Sequence, residues 1–159
     1  MTLQEKFDFI IIDLPHVWLP WIAAALNNSH HAVMVAQLWL RSATHASRLL
    51  GVMREIGISD DALSLVINRS GAKFKEAVGS KDFERVCNKA INFYLSNDIK
   101  SVVAAENQGK TIIEIGNSPL ERQFRDMAQG LLGLQEDAAP RTSPLQQGGK
   151  SGLGSLFRK

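Results

Sequence analysis

A chain of 159 residues with 45% apolar and 21% charged side chains has room for one domain and one real core. Its formal charge of +2 lies wholly in residues 135–159, where four basic residues face two acidic ones; the body before them is balanced at 14 and 14. A neutral body lacks the basic face by which proteins hold nucleic acid, and one cysteine excludes an internal disulfide and a cysteine-based zinc site.

In chain order, "FDFIIID" at 7–13 is a near-continuous, isoleucine-rich run, the pattern of a strand buried on both faces. Pro15 and Pro20 frame a loop, and the alanine-rich stretch 21–26 predicts a short helix. "AVMVA" at 32–36 is a second buried strand. From Leu40, apolar residues recur at helical spacing to Ile56, and Gly57 stands where a C-cap glycine would. "LSLVIN" at 63–68 is a third strand, followed by a turn over 69–72.

Ser80 is placed to cap a helix that turns Phe83, Val86, Cys87 and Ala90 inward; Cys87, with Phe83 and Ile91 at i−4 and i+4, reads as a core thiol. "INFYL" at 91–95 is the least marked strand. Asp98 caps a helix through Val102 and Val103 that ends at Gly109. In the last helix, Ser118 is the cap, Pro119 the first helical residue and Glu121 the return half of a capping box, with Leu120, Phe124, Met127, Ala128, Leu131 and Leu132 as its apolar stripe. Strands separated by helices imply right-handed crossovers and a parallel sheet, hence an α/β fold. Residues 1–134 form the domain, and the Pro, Gly, Ser and Gln-rich residues 135–159 a disordered tail. No run approaches a membrane span and no signal-peptide pattern opens the chain, so a cytoplasmic location is expected.

Ligands collect at the carboxyl ends of parallel strands, where Asp13 falls. A carboxylate at the end of a dry strand is costly unless a cation or hydrogen-bond donors meet it. One solution is Mg²⁺ with its water shell; the other reading is a turn or capping aspartate. Trp18 and Trp21 lie in a proline-framed loop, where exposed tryptophans mark interfaces and buried ones simply pack on their own domain. His16, His30, His31 and His45 have no metal-ligand spacing.

The order and spacing of "FDFIIIDLPHVWLPW", "AVMVAQ", "LVINRSG", "AAENQGKTIIEI" and "SPLERQFRDMAQGLL" resemble the C-terminal half of the ATPase-like domain of CpaE/TadZ-type Flp (Tad) pilus assembly proteins, which belong to the MinD/ParA group of deviant-Walker P-loop proteins. The resemblance covers about residues 5–134. It implies a partial P-loop NTPase fold, a parallel sheet flanked by helices, that dimerises around ATP and helps position pilus assembly at a cell pole. It makes Asp13 the Walker-B carboxylate acting on Mg²⁺ through water. Asn68 would face the adenine edge, Arg69 would lie near the base or ribose, and His16, Trp18 and Trp21 would sit in a switch-like loop at an interface. Gln37 and Leu38 depart from the acidic residue and proline common in relatives, and "LSND" at 95–98 from Ile-Pro-x-Asp.

A P-loop ATPase holds phosphates with a glycine-rich loop and a lysine. Only "MTLQEK" precedes Phe7, so the chain is expected to start after that half and to be a truncated or split product, inactive alone and without tight affinity for ATP or Mg²⁺. "QQGGKSGLG" is no substitute, since the glycine required five places before Gly149 is Pro144. In the family topology the P-loop strand separates the strand at 7–13 from that at 32–36, so its absence predicts two open edges. The alternative function is a non-enzymatic interaction module binding a full-length relative or a pilus-assembly partner through the Trp18/Trp21 loop. The terminal "GLGSLFRK" reads as a frayed tail or a weak membrane contact.

Overall fold

The computed structural model describes residues 3–15, 17–73 and 75–133. The expected tail at 135–159, its membrane contact and His16 lie outside these residues. Three parallel strands, β1 (Ala32–Ala36), β2 (Leu63–Ser70) and β3 (Phe93–Ser96), form one sheet in that order. Helices α1 (Pro20–Asn27), α2 (Leu40–Glu55) and α3 (Ser80–Cys87) supply one covering layer. After β3 come α4 (Ile99–Asn107), α5 (Ile112–Ile115) and α6 (Pro119–Leu131). The fold is thus α/β with a parallel sheet flanked by helices, as its alternation of elements requires.

β2 is central, and its residues from Leu63 to Ile67 are all buried, which explains why this strand reads as an unbroken apolar run. On one face Met34, Leu65 and Ile67 pack with Ile22 and Leu26 of α1, Ala43, Leu50 and Met53 of α2, and Phe83 and Cys87 of α3. Cys87 is accordingly a core thiol, and burial pushes its pKa up. On the other face Val66 and Leu95 meet Leu120, with Ile112, Phe124 and Met127 packed around them. The alternation of buried and exposed residues along β1 shows that this second layer stops short: Ala32, Met34 and Ala36 are buried, while Val33 and Val35 are 42% and 60% exposed.

Helix ends follow local chemistry. Gly57, at φ +90°, closes α2 with Ile58 N–H donating to the Met53 carbonyl at 2.9 Å. Asp98 caps α4 by accepting from Ser101 N–H at 3.1 Å, and Ser118 Oγ accepts from Glu121 N–H at 2.9 Å to open α6. Ser80 is the first residue of α3, and Gly79 is its cap. The Glu121 side chain does not return to the cap; it pairs with Arg125 one turn on. A complete capping box instead joins Thr111 and Glu114 in α5, a helix whose four residues are too short to register as a periodic pattern.

One expectation fails clearly. Residues 7–13 form no strand and lie exposed, with Ile11 94% accessible. A strand buried on both faces needs hydrogen-bonded neighbours as well as covering layers. β1 is the last strand on its side, and among the described residues nothing pairs with its outer edge. The run therefore crosses the surface, anchored where Leu14 packs against the first core. The predicted pair of open edges reduces to one, that of β1. β3 is confirmed over Phe93–Ser96, starting two residues and ending one residue later than its sequence bounds.

Candidate functional site

The carboxyl ends of β1 and β2 open into a cleft of about 470 Å³. Gln37 follows β1, Trp39, Arg41, Ser42 and His45 come from the start of α2, and Asn68 from the end of β2. This is where a parallel sheet concentrates its loops, and where its ligands gather. Arg41 and His45 are one helical turn apart and so share a face of α2.

Two braces shape the cleft. Gln37 N–H donates to Ser42 Oγ at 3.1 Å, tying the end of β1 to the first turn of α2. The loop before α3 holds the same corner from outside: Leu40 N–H donates to the Glu76 carbonyl at 3.1 Å and Val78 N–H to the Leu38 carbonyl at 3.2 Å, around an antiparallel bridge between Trp39 and Ala77.

Asn68 is half-buried, and its Oδ1 accepts from Arg69 N–H at 2.8 Å. A carbonyl oxygen has a second lone pair and the amide nitrogen two donors, so the group retains the donor and acceptor that recognition of a base edge demands. Arg69 adopts φ +52°, is exposed, and starts a turn in which Ala72 N–H reaches its carbonyl at 3.0 Å. The left-handed conformation costs a non-glycine residue roughly 1–2 kcal/mol, and it falls at an irregularity in β2, whose pairing with β3 resumes at Ser70 opposite Ser96. Asp98, at the end of β3, is engaged as a helix cap; the Ser101 hydroxyl and backbone N–H hold its pKa below the ordinary value.

The remaining predicted site residues stand apart from the cleft lining. Asp13 is exposed on the unpaired N-terminal segment, and Arg69 does not line the cleft. Trp18 and Trp21, at 38% and 49% exposure, keep substantial surface toward solvent. The structure therefore brings Asn68 together with residues that the sequence did not single out as a group: Trp39, Arg41, Ser42 and His45. The available signal was the Arg41/His45 spacing at the start of a helix that directly follows a strand. Among the described residues no cluster of three acidic, histidine or cysteine side chains could hold a metal ion, and no helix is long and apolar enough to cross a membrane.

No protein-family model matches the sequence. The chain is 25% identical over 134 residues to the septum site-determining protein MinD of Thermotoga maritima, a match covering 82% of this chain and 49% of that protein. Among solved structures, the Pyrococcus furiosus cell division ATPase MinD superposes with a TM-score of 0.67 at 21% identity, over 84% of this chain and 55% of that one. A ParA family ATPase from Chlorobium tepidum gives 0.57 at 19% identity, over 65% and 42%. The chain thus has the fold of MinD/ParA-like P-loop ATPases and spans about half the length of these relatives.

Proposed function

We propose that the chain is part of an ATP-binding domain of the MinD/ParA type, in which the cleft at the ends of β1 and β2 receives the adenine side of the nucleotide. The observation that carries this reading is the placement of Asn68: half-buried, at the carboxyl end of the central parallel strand, lining a cleft of about 470 Å³. Asn68 meets the base edge, Arg69 lies near the base or ribose, and Gln37 adds a second amide on the opposite strand.

The residues present fit the base better than the phosphates. Nothing lining the cleft is a glycine-rich loop, and Asp13, the candidate for Mg²⁺ held through water, stands on a separate exposed segment. Phosphoryl transfer relies on positioning and on charge at the γ-phosphate, so hydrolysis is not assigned to this chain alone. At the level of the cell, the quoted motifs support a CpaE/TadZ-type protein that helps place Flp (Tad) pilus assembly at a pole, at the inner face of the membrane. Its partners would be a family-type homodimer and the pilus machinery.

The second reading is a non-enzymatic interaction module that binds a full-length relative or a pilus-assembly component through the segment of His16, Trp18 and Trp21, the last of which stands in the first turn of α1 and not in the expected loop. The partial exposure of both tryptophans favours it. Amide chemical-shift mapping separates the two. Adenosine and ATP should shift Gln37, Ser42 and Asn68 alike, with little dependence on Mg²⁺, and Asn68→Ala should weaken binding by about tenfold, the loss of one buried hydrogen bond. Silence of these amides at millimolar nucleotide would reject the nucleotide reading and leave the interaction module.

A further inference from the structure

From the unpaired cations on the outer face of α2, we infer that this face docks a short acidic segment of a partner protein. Residues 14–54 contain no aspartate or glutamate, yet hold Arg41, Arg48, Arg54 and all four histidines of the chain. The fold gathers part of that charge on one side. Ala43, Ala46, Leu50 and Met53 turn α2 into the core, while Arg41, Thr44, His45 and Arg48 stay exposed on the side away from them. At i, i+3, i+4 and i+7 these four form one stripe along the helix.

A lysine extends the stripe at its start. The segment before α3 meets the first turn of α2 through the Trp39–Ala77 bridge and the Leu40 N–H bond to the Glu76 carbonyl, which brings the exposed Lys75 beside that turn. Among the described residues no ion pair engages Arg41, Arg48 or Lys75, whereas Arg54 at the far end of α2 is held by Asp60 at 3.1 Å. The two outer guanidinium groups therefore keep their donors, in the fork that meets a carboxylate with two parallel hydrogen bonds. Arg clusters of this kind are a recurrent means of recognising acidic peptide motifs.

The size of the stripe selects a peptide. Arg41 and Arg48 stand about 10 Å apart along the helix axis, a span that an extended chain covers in about three or four residues. Two carboxylates at that separation reach both guanidinium groups, with His45 between them. Nucleic-acid surfaces neutralise on the order of six to ten phosphates, more than this stripe and Lys75 supply, and the body of the chain is balanced in charge. A lipid-binding helix buries its apolar face in the membrane, whereas the apolar face of α2 lies inside the core. Arg48 stands clear of the cleft lining, so a test made through it does not depend on the nucleotide reading.

Amide chemical-shift mapping of the full chain with a hexaglutamate peptide tests this. At low salt the peptide should bind with a Kd on the order of 1 mM, because exposed charge pairs each contribute little, and should shift the amides of 41–48 and 75–77. Binding should weaken as NaCl screens the charges. Arg48→Glu removes one attraction and adds one repulsion, and should weaken binding by about tenfold. Arg48→Lys keeps the charge and should lose less, and Arg122→Glu, at an exposed position on α6, should leave binding unchanged. Silence of the α2 amides at about 10 mM peptide, or shifts confined to residues 135–159, would overturn the inference. So would undiminished binding by Arg48→Glu in a chain whose spectrum shows α2 intact, or stronger shifts of the same amides by hexathymidylate or by vesicles containing phosphatidylserine.

Discussion

His31 shows how one side chain couples the sheet to pH. Its Nε2 lies 2.9 Å from the hydroxyl of the buried Ser64, and its pKa is lowered, first by partial burial and then by the charge of Lys89. The folded state therefore binds this proton less readily than the unfolded chain does. The resulting stability is present above the ordinary histidine value of 6.5 and is lost as pH falls from there through the depressed folded value. Urea midpoints on either side of 6.5 should record the loss, and His31→Gln should flatten the profile there. Leu50, fully buried between α2 and the sheet, sets a larger scale. Leu50→Ala should cost about 2–5 kcal/mol in denaturant unfolding, because the rigid surroundings close only part of the cavity.

At the scale of elements, short helices depend on their caps. Ser118→Ala should destabilise the fold by about 0.5–2 kcal/mol, measured by denaturant unfolding, because Glu121 N–H loses its acceptor beside the second core. Two caps are carboxylates. The Ser101 hydroxyl and N–H lower the pKa of Asp98, and Thr111 N–H lowers that of Glu114, from ordinary values of 3.8 and 4.5. Both contributions are present above those values and fade as pH falls through the depressed folded ones. Helicity followed through an acid titration should show α4 and α5 loosening in that window, and Asp98→Asn together with Glu114→Gln should remove the effect. The Ser118 and Asp98 caps were legible because Ser-Pro and Asp at a helix start act through backbone groups one turn away; the Thr111/Glu114 box, on a helix of four residues, was not. The pairing of Glu121 with Arg125 was not, since the choice between the cap and the next turn rests on burial against Leu120 and its neighbours.

Among the described residues the sheet has three strands, with β2 between the two edge strands β1 and β3. Hydrogen exchange should find β2 the most protected strand, for it is hydrogen-bonded on both edges and buried on both faces. The cleft lined by Asn68 lies at the carboxyl ends of β1 and β2.

By itself the sequence located β1, β2 and β3 and every described α-helix except α5, whose four residues carry no periodic signal. Periodicity, caps and runs such as "LSLVIN" act within a few residues, and burial of β2 on both faces admits little else. It also placed Asn68 at a strand end. What it could not determine was whether 7–13, with equally strong strand composition, would be a strand at all. That depends on a neighbour to receive its hydrogen bonds, and only the tertiary structure shows β1 standing last in the sheet. The grouping of Trp39, Arg41, Ser42 and His45 with Asn68 is likewise tertiary, since it arises where two strands and a helix meet across more than twenty residues of chain.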